Sequence, residues 1–139
     1  MYKKIIVPVD LAHASRLQKV LQTAADLGRH YNASVCYVGV ISSLPGSVAR
    51  SPSEFAEKLG EFASMQGKEN GIATSSHAVT SHDPAVDLDQ ALLAAIADTG
   101  ADLVVMASHI PNVTDYIWPS NGGTIASRSS ASVFVVRGA

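Results

Sequence analysis

A single cysteine, Cys36, in 139 residues excludes an internal disulfide framework and a Cys-x-x-Cys redox motif. Its place in an apolar run marks it as inert core. Charge is scarce too, with Asp, Glu, Lys and Arg making up 16% of the chain. The 10 Lys and Arg residues against 12 Asp and Glu leave a net charge of −2. Without a basic excess, neither nucleic acid nor a membrane surface is an expected partner. No apolar run approaches the roughly 18 residues that a membrane span needs. The opening Met1-Tyr2-Lys3-Lys4 runs straight into Ile5-Ile6-Val7, without the apolar stretch and small-residue cleavage site of a signal peptide. The expectation is a cytoplasmic protein. What the sequence does have is apolar residues, 47% of the total. That is too many for a disordered chain. A chain of this length buries roughly 70% of its unfolded surface, so residues 1–139 are expected to form one domain.

Two kinds of segment alternate along it. Ile5–Val9 is a short apolar run that suits a buried parallel strand. Over residues 14–31, Leu17, Val20, Leu21, Ala24 and Leu27 recur on one helical face. Ser34–Ile41 predicts the second strand, and residues 42–52, rich in Ser, Pro and Gly, a loop. Phe55, Leu59 and Phe62 mark a helix over 53–66, and Ile72–Val79 a polar third strand. Asp83-Pro84 is an N-cap with proline at the first helical position. That helix runs to about Asp98 with Val86, Leu88, Leu92, Ala95 and Ile96 inward, and Gly100 stops it. Leu103–Ala107 is the fourth strand, a short helix lies near 120–130, and Val133–Val136 is the fifth strand. The pattern predicts an α/β fold, doubly wound, with a five-stranded mainly parallel sheet and helices on both faces.

Ligands of such sheets bind beyond the carboxyl ends of the strands, where the strand order reverses. With strands 1 and 4 adjacent, the crevice is lined by Val9-Asp10, by Val40-Ile41 and by residues 106–121. Ser120-Asn121-Gly122-Gly123-Thr124 is a polar helix start whose free N–H groups suit a phosphate, although the same residues also make a plain N-cap. Asp10, on its residues alone, caps the following turn or pairs locally. His77, His82 and Asp83 are close in sequence but repeat no metal-ligand spacing, so no metal is expected. Tyr116 and Trp118 form either a packing plug or a patch facing a protein partner.

The segments Lys3-Lys4-Ile5-Ile6-Val7-Pro8-Val9-Asp10, Val38-Gly39-Val40-Ile41, Asp102–His109 and Ser132–Arg137 stand in an order and at distances that resemble the universal stress protein family. The resemblance covers the whole chain. It implies a doubly wound five-stranded sheet, a dimer and, in many members, an ATP site. The family's adenine-binding Asp falls on Asp10, and the Val that ends strand 2 falls on Val40. Its phosphate motif, Gly-x-x-Gly, nine residues, then Gly and Ser or Thr, falls on Ala107 and Ile110. Ser120-Asn121 follow in one register and Pro119-Ser120 in the other. All three glycines are replaced. Ile110 and Pro111 add bulk, and Pro111 and Pro119 remove N–H donors.

The leading expectation is a stress-response regulatory protein that binds ATP or another adenine nucleotide, with no catalytic residue. Its binding residues are Val9, Asp10, Val40, Met106, Ala107, His109, Ser120, Asn121 and Gly122. A dimeric interaction protein that has lost tight ATP binding is the alternative. A slow ATPase ranks last, because no Walker motif, no evident base and no Lys or Arg between 107 and 121 would serve phosphoryl transfer. The expected strand order, 3-2-1-4-5, leaves strands 3 and 5 at the edges. Val133-Phe134-Val135-Val136 carries no Pro or Lys, so an exposed edge of this kind calls for a partner. A homodimer through residues 132–137 is expected.

Overall fold

The computed structural model describes residues 1–42, 50–81, 84–108 and 122–137. Five strands form one sheet in the order β3-β2-β1-β4-β5. They are β1 (Lys4–Pro8), β2 (Ser34–Ser42), β3 (Thr74–Ser81), β4 (Leu103–Ala107) and β5 (Ser132–Val136). Every pairing is parallel. The helices are α1 (Gln18–Tyr31), α2 (Pro52–Asn70), α3 (Pro84–Thr99) and α4 (Gly122–Arg128). The expected α/β fold and strand order are both present.

The middle of the sheet is buried on both faces. Ile5, Ile6, Val7, Val104, Val105 and Met106 are completely inaccessible. Alternation cannot occur in strands covered on both sides, which is why β1 and β4 read as unbroken apolar runs. Right-handed crossovers put α1 and α2 on one face, because the chain moves from β1 to β3 in one direction. It returns through α3 and α4, which cover the other face. Leu17, Val20, Leu21 and Ala24 are buried along α1, and Leu92, Ala95 and Ile96 along α3, as the periodicity requires. Cys36 is buried in β2.

The α2 helix packs tightly against β2. A Cβ at Gly39 of β2 would stand 2.6 Å from the Phe55 ring and 3.3 Å from Leu59. Only a residue without a side chain lets the helix approach this far. Beside it, the buried Tyr37 ring meets Phe62 edge-on at 5.4 Å. Burial pushes the Tyr37 hydroxyl up to about 12, and among the described residues its oxygen has no hydrogen-bond partner.

Several boundaries differ from those expected. The helix over 14–31 is two pieces, a 3₁₀ turn over Leu11–Arg16 and then α1. His13, at φ −124° and ψ 24°, breaks the helical path within the first piece, and Leu17 separates that piece from α1. The α2 helix runs on to Asn70, where Gly71 at φ 65° closes it. Ile72 donates its N–H to Gly67 O at 3.3 Å, so it belongs to the helix end. The third strand therefore starts at Thr74 and ends at Ser81, two residues later than expected. Gly100, at φ 71°, follows α3, the stop expected there.

Candidate functional site

The carboxyl ends of β1, β2 and β4 come together as expected. In the β1–β2 register Pro8 is level with Val38, and continuing it sets Asp10 level with Val40. The Val9 N–H extends that ladder, donating to Val38 O at 2.8 Å. In the β1–β4 register Ile6 is level with Val104, which carries Val9 to the height of Ala107. Val9, Asp10, Val40, Met106 and Ala107 thus share one end of three neighbouring strands. His109, Ser120 and Asn121 lie outside the described residues, as do Ile110, Pro111, Tyr116, Trp118 and Pro119. His82, Asp83 and most of the 42–52 segment do too. Gly122 opens α4.

The apolar members of the set are walls. Val9, Met106 and Ala107 are at most 4% exposed and Val40 is 5% exposed, so their side chains belong to the core. They offer a ligand backbone groups and an apolar floor. Ser108 spends its N–H on Val136 O at 2.9 Å, which ties the residue after β4 to the end of β5. Among the described residues of the set, the side-chain polar chemistry therefore falls to Asp10.

Asp10 is only 8% exposed, one of the few buried polar side chains. It caps the 3₁₀ turn, with Oδ1 accepting from the Ala12 N–H at 3.1 Å. Its Oδ2 lies 2.9 Å from Nδ1 of His13. A 3₁₀ turn has three residues per turn, so side chains three apart eclipse and meet. A carboxylate only accepts, so Nδ1 carries the hydrogen of this bond. The local cap and pairing read from the residues are both present.

His13 is the residue that the sequence reading passed over. The signal was there in the spacing Asp10-Leu11-Ala12-His13, but it becomes legible only once the turn is known to be 3₁₀. Among the described residues no three His, Cys, Asp or Glu side chains stand close enough to hold a metal ion. No helix among them is long and apolar enough to cross a membrane.

With this geometry in hand, the comparisons decide the family. Residues 1–137 match the model of the universal stress protein family. The chain belongs to that family. Universal stress protein G of Salmonella typhimurium is 25% identical, over 99% of this chain and 100% of its own. A universal stress protein solved in complex with cAMP superposes with a TM-score of 0.65, at 20% identity over 97% of each chain. The Archaeoglobus fulgidus universal stress protein, solved in complex with dAMP, gives 0.62 at 20% identity, over 96% of this chain and 97% of its own. At such identities these two likenesses establish the fold.

Proposed function

We propose that this universal stress protein is a cytoplasmic, non-catalytic regulator of the stress response that binds an adenine nucleotide where β1, β2 and β4 end. The observation that carries this reading is Asp10. A nearly buried carboxylate at the strand-order switch costs free energy to desolvate unless it serves as a cap or a ligand acceptor. Structural neighbours solved with cAMP and dAMP support adenylates as the ligand class. ATP or another adenine nucleotide would hydrogen-bond to Asp10, lie against the floor of Val9, Val40, Met106 and Ala107, and meet His109, Ser120, Asn121 and Gly122 at its phosphate end. The phosphates would take N–H groups near the start of α4.

The replaced glycines favour a second reading. Ala107, Ile110 and Ser120 or Pro119 stand where the family's phosphate motif has glycine, and the proline N–H donors are missing. In that reading the protein is a dimeric interaction protein whose hold on ATP is weak. In both, hydrolysis is expected to be absent or very slow, because no Lys or Arg stands between residues 107 and 121.

The assembly we propose is a homodimer through residues 132–137. β5 is an edge strand bearing Phe134 and Val135, 45% and 40% exposed. Antiparallel pairing with a second copy would satisfy both edges.

Native mass spectrometry of undialysed protein tests nucleotide and assembly together. The proposal expects a dimer mass carrying an adenine nucleotide. An empty dimer that stays empty with millimolar ATP and AMP would select the second reading. An empty monomer would reject both.

A further inference from the structure

We infer that His13 is a positioning residue of the nucleotide site, holding the Asp10 carboxylate so that it accepts a hydrogen bond from a donor on the nucleoside. The inference rests on the adenine-nucleotide reading and deepens it. Its ground is the pair itself, at 2.9 Å and across a turn that the His13 N–H closes on Asp10 O at 2.9 Å.

Asp10 has two restraints and each fixes a different oxygen. The Ala12 N–H holds Oδ1, and His13 Nδ1 holds Oδ2. One restraint alone leaves the carboxylate free to rotate about its own bonds. Two leave it a single orientation. Each carboxylate oxygen has two lone pairs, so both restraints can persist while a ligand donor takes one that remains. Preorganising the acceptor in this way spares the ordering cost that binding would otherwise incur. The His13 donor also offsets the desolvation of a carboxylate that a bound ligand would cover further.

The backbone holds the ring there. The His13 N–H donates to Asp10 O at 2.9 Å. At φ −124°, His13 lies off the helical path. Leu17 then closes the turn by donating its N–H to Ala14 O at 3.0 Å. The ring is 19% exposed, so it is held within the protein rather than swinging in solvent.

Two nucleoside groups supply a donor of the required kind, the exocyclic amine of adenine and a ribose hydroxyl. A carbonyl in either place would face the carboxylate without a hydrogen. Calorimetry with AMP, IMP and dAMP separates the two sources. Loss of affinity with IMP alone assigns the amine to Asp10, and loss with dAMP alone assigns the 2′-hydroxyl. Equal affinity for all three leaves the 3′-hydroxyl, which 3′-deoxyadenosine monophosphate tests, and equal affinity for that nucleotide as well contradicts the inference.

The variants are His13→Ala and His13→Asn, with melting temperatures measured beside them. An asparagine amide nitrogen can take the place of Nδ1, so it restores the donor without the ring. The inference expects His13→Ala to bind AMP about ten-fold more weakly, the worth of one hydrogen bond to a charged group. His13→Asn should recover to within about three-fold, at whatever stability either variant has. His13→Ala binding AMP as wild type does, or His13→Asn being as weak as His13→Ala, overturns it. A wild type that binds none of the three nucleotides rejects the underlying reading instead. A nitrogen-detected spectrum of the imidazole rings tells these failures apart. Nδ1 of His13 should be protonated in wild type, and an even mixture of tautomers would mean that the pair does not form.

Discussion

The two edges of the sheet solve one backbone problem in opposite ways. β3 and β5 each pair with a single neighbour and leave one row of N–H and C=O groups without a strand partner. β3 is eight residues long and in register with β2 along its whole length, from Thr74 to Ser81. Its exposed positions are Ser75, Ser76, Ala78 and Thr80, small side chains that leave water access to the backbone. β5 is five residues long and exposes Phe134 and Val135. Water covers the first edge at little cost. At the second, covering two large apolar side chains and an open ladder is the stronger drive, and a second chain does this best. In the proposed dimer, edge chemistry, more than edge length, would therefore decide which strand a second copy meets.

The largest expected effect comes from giving β5 what β3 tolerates. Val135→Lys places a charge on the apolar edge and should raise the dimer dissociation constant at least about a hundred-fold, about 2.7 kcal/mol. Thr80→Lys on β3 is the control, with no change in mass by sedimentation. A wild-type monomer at tens of micromolar would remove the contrast between the edges.

Next in size is a change that weakens the β3 side without touching assembly. Gly39→Ala drives a methyl group to within 2.6 Å of the Phe55 ring, beneath α2. Overpacking of this kind costs about 1–3 kcal/mol. Thermal unfolding should register it while the dimer mass stays constant. A melting temperature equal to that of wild type would mean that α2 shifts freely over β2.

Tyr37→Phe should have the smallest effect near neutrality and act chiefly in alkaline solution. The hydroxyl is buried without a partner among the described residues, and burial raises it from 10.0 to about 12. A folded value above the unfolded one means that the folded state holds its proton longer. Stability is then unaffected below pH 10 and falls as pH rises from 10 towards 12, by about 2–3 kcal/mol. Tyr37→Phe removes that fall. Near neutrality it should leave stability within about 1 kcal/mol of wild type, because the lost hydroxyl made no hydrogen bond. Identical alkaline unfolding of the two proteins would contradict the assignment.

The contrast between the edges was legible before the structure, because edge and centre differ in composition. Unbroken apolar runs at Ile5–Val9 and Leu103–Ala107 mark strands covered on both faces. The polar run around Ser75 and His77 marks one that is not. What stayed hidden depends on backbone geometry. Ile72 is apolar and precedes a strand, yet its N–H closes α2, so composition alone set β3 two residues early. Leu17 begins the apolar stripe of α1, but the 3₁₀ turn before it carries no buried residue and so no periodicity. His13 was hidden for the same reason. Its partner Asp10 stood out at the end of an apolar strand, whereas the pairing follows from three residues per turn. Val9 and Met106, by contrast, were placed by strand order where β1 and β4 end, and their side chains are buried in the core.

Asp10 is the group on which the nucleotide reading depends. Calorimetry with ATP and AMP on wild type, Asp10→Ala and Asp10→Asn tests it most directly, with melting curves to allow for the lost cap, worth about 1 kcal/mol. The account predicts measurable heats for the wild type and an affinity at least about ten-fold lower in both variants. Equal heats for all three proteins would contradict it and remove Asp10 from the site.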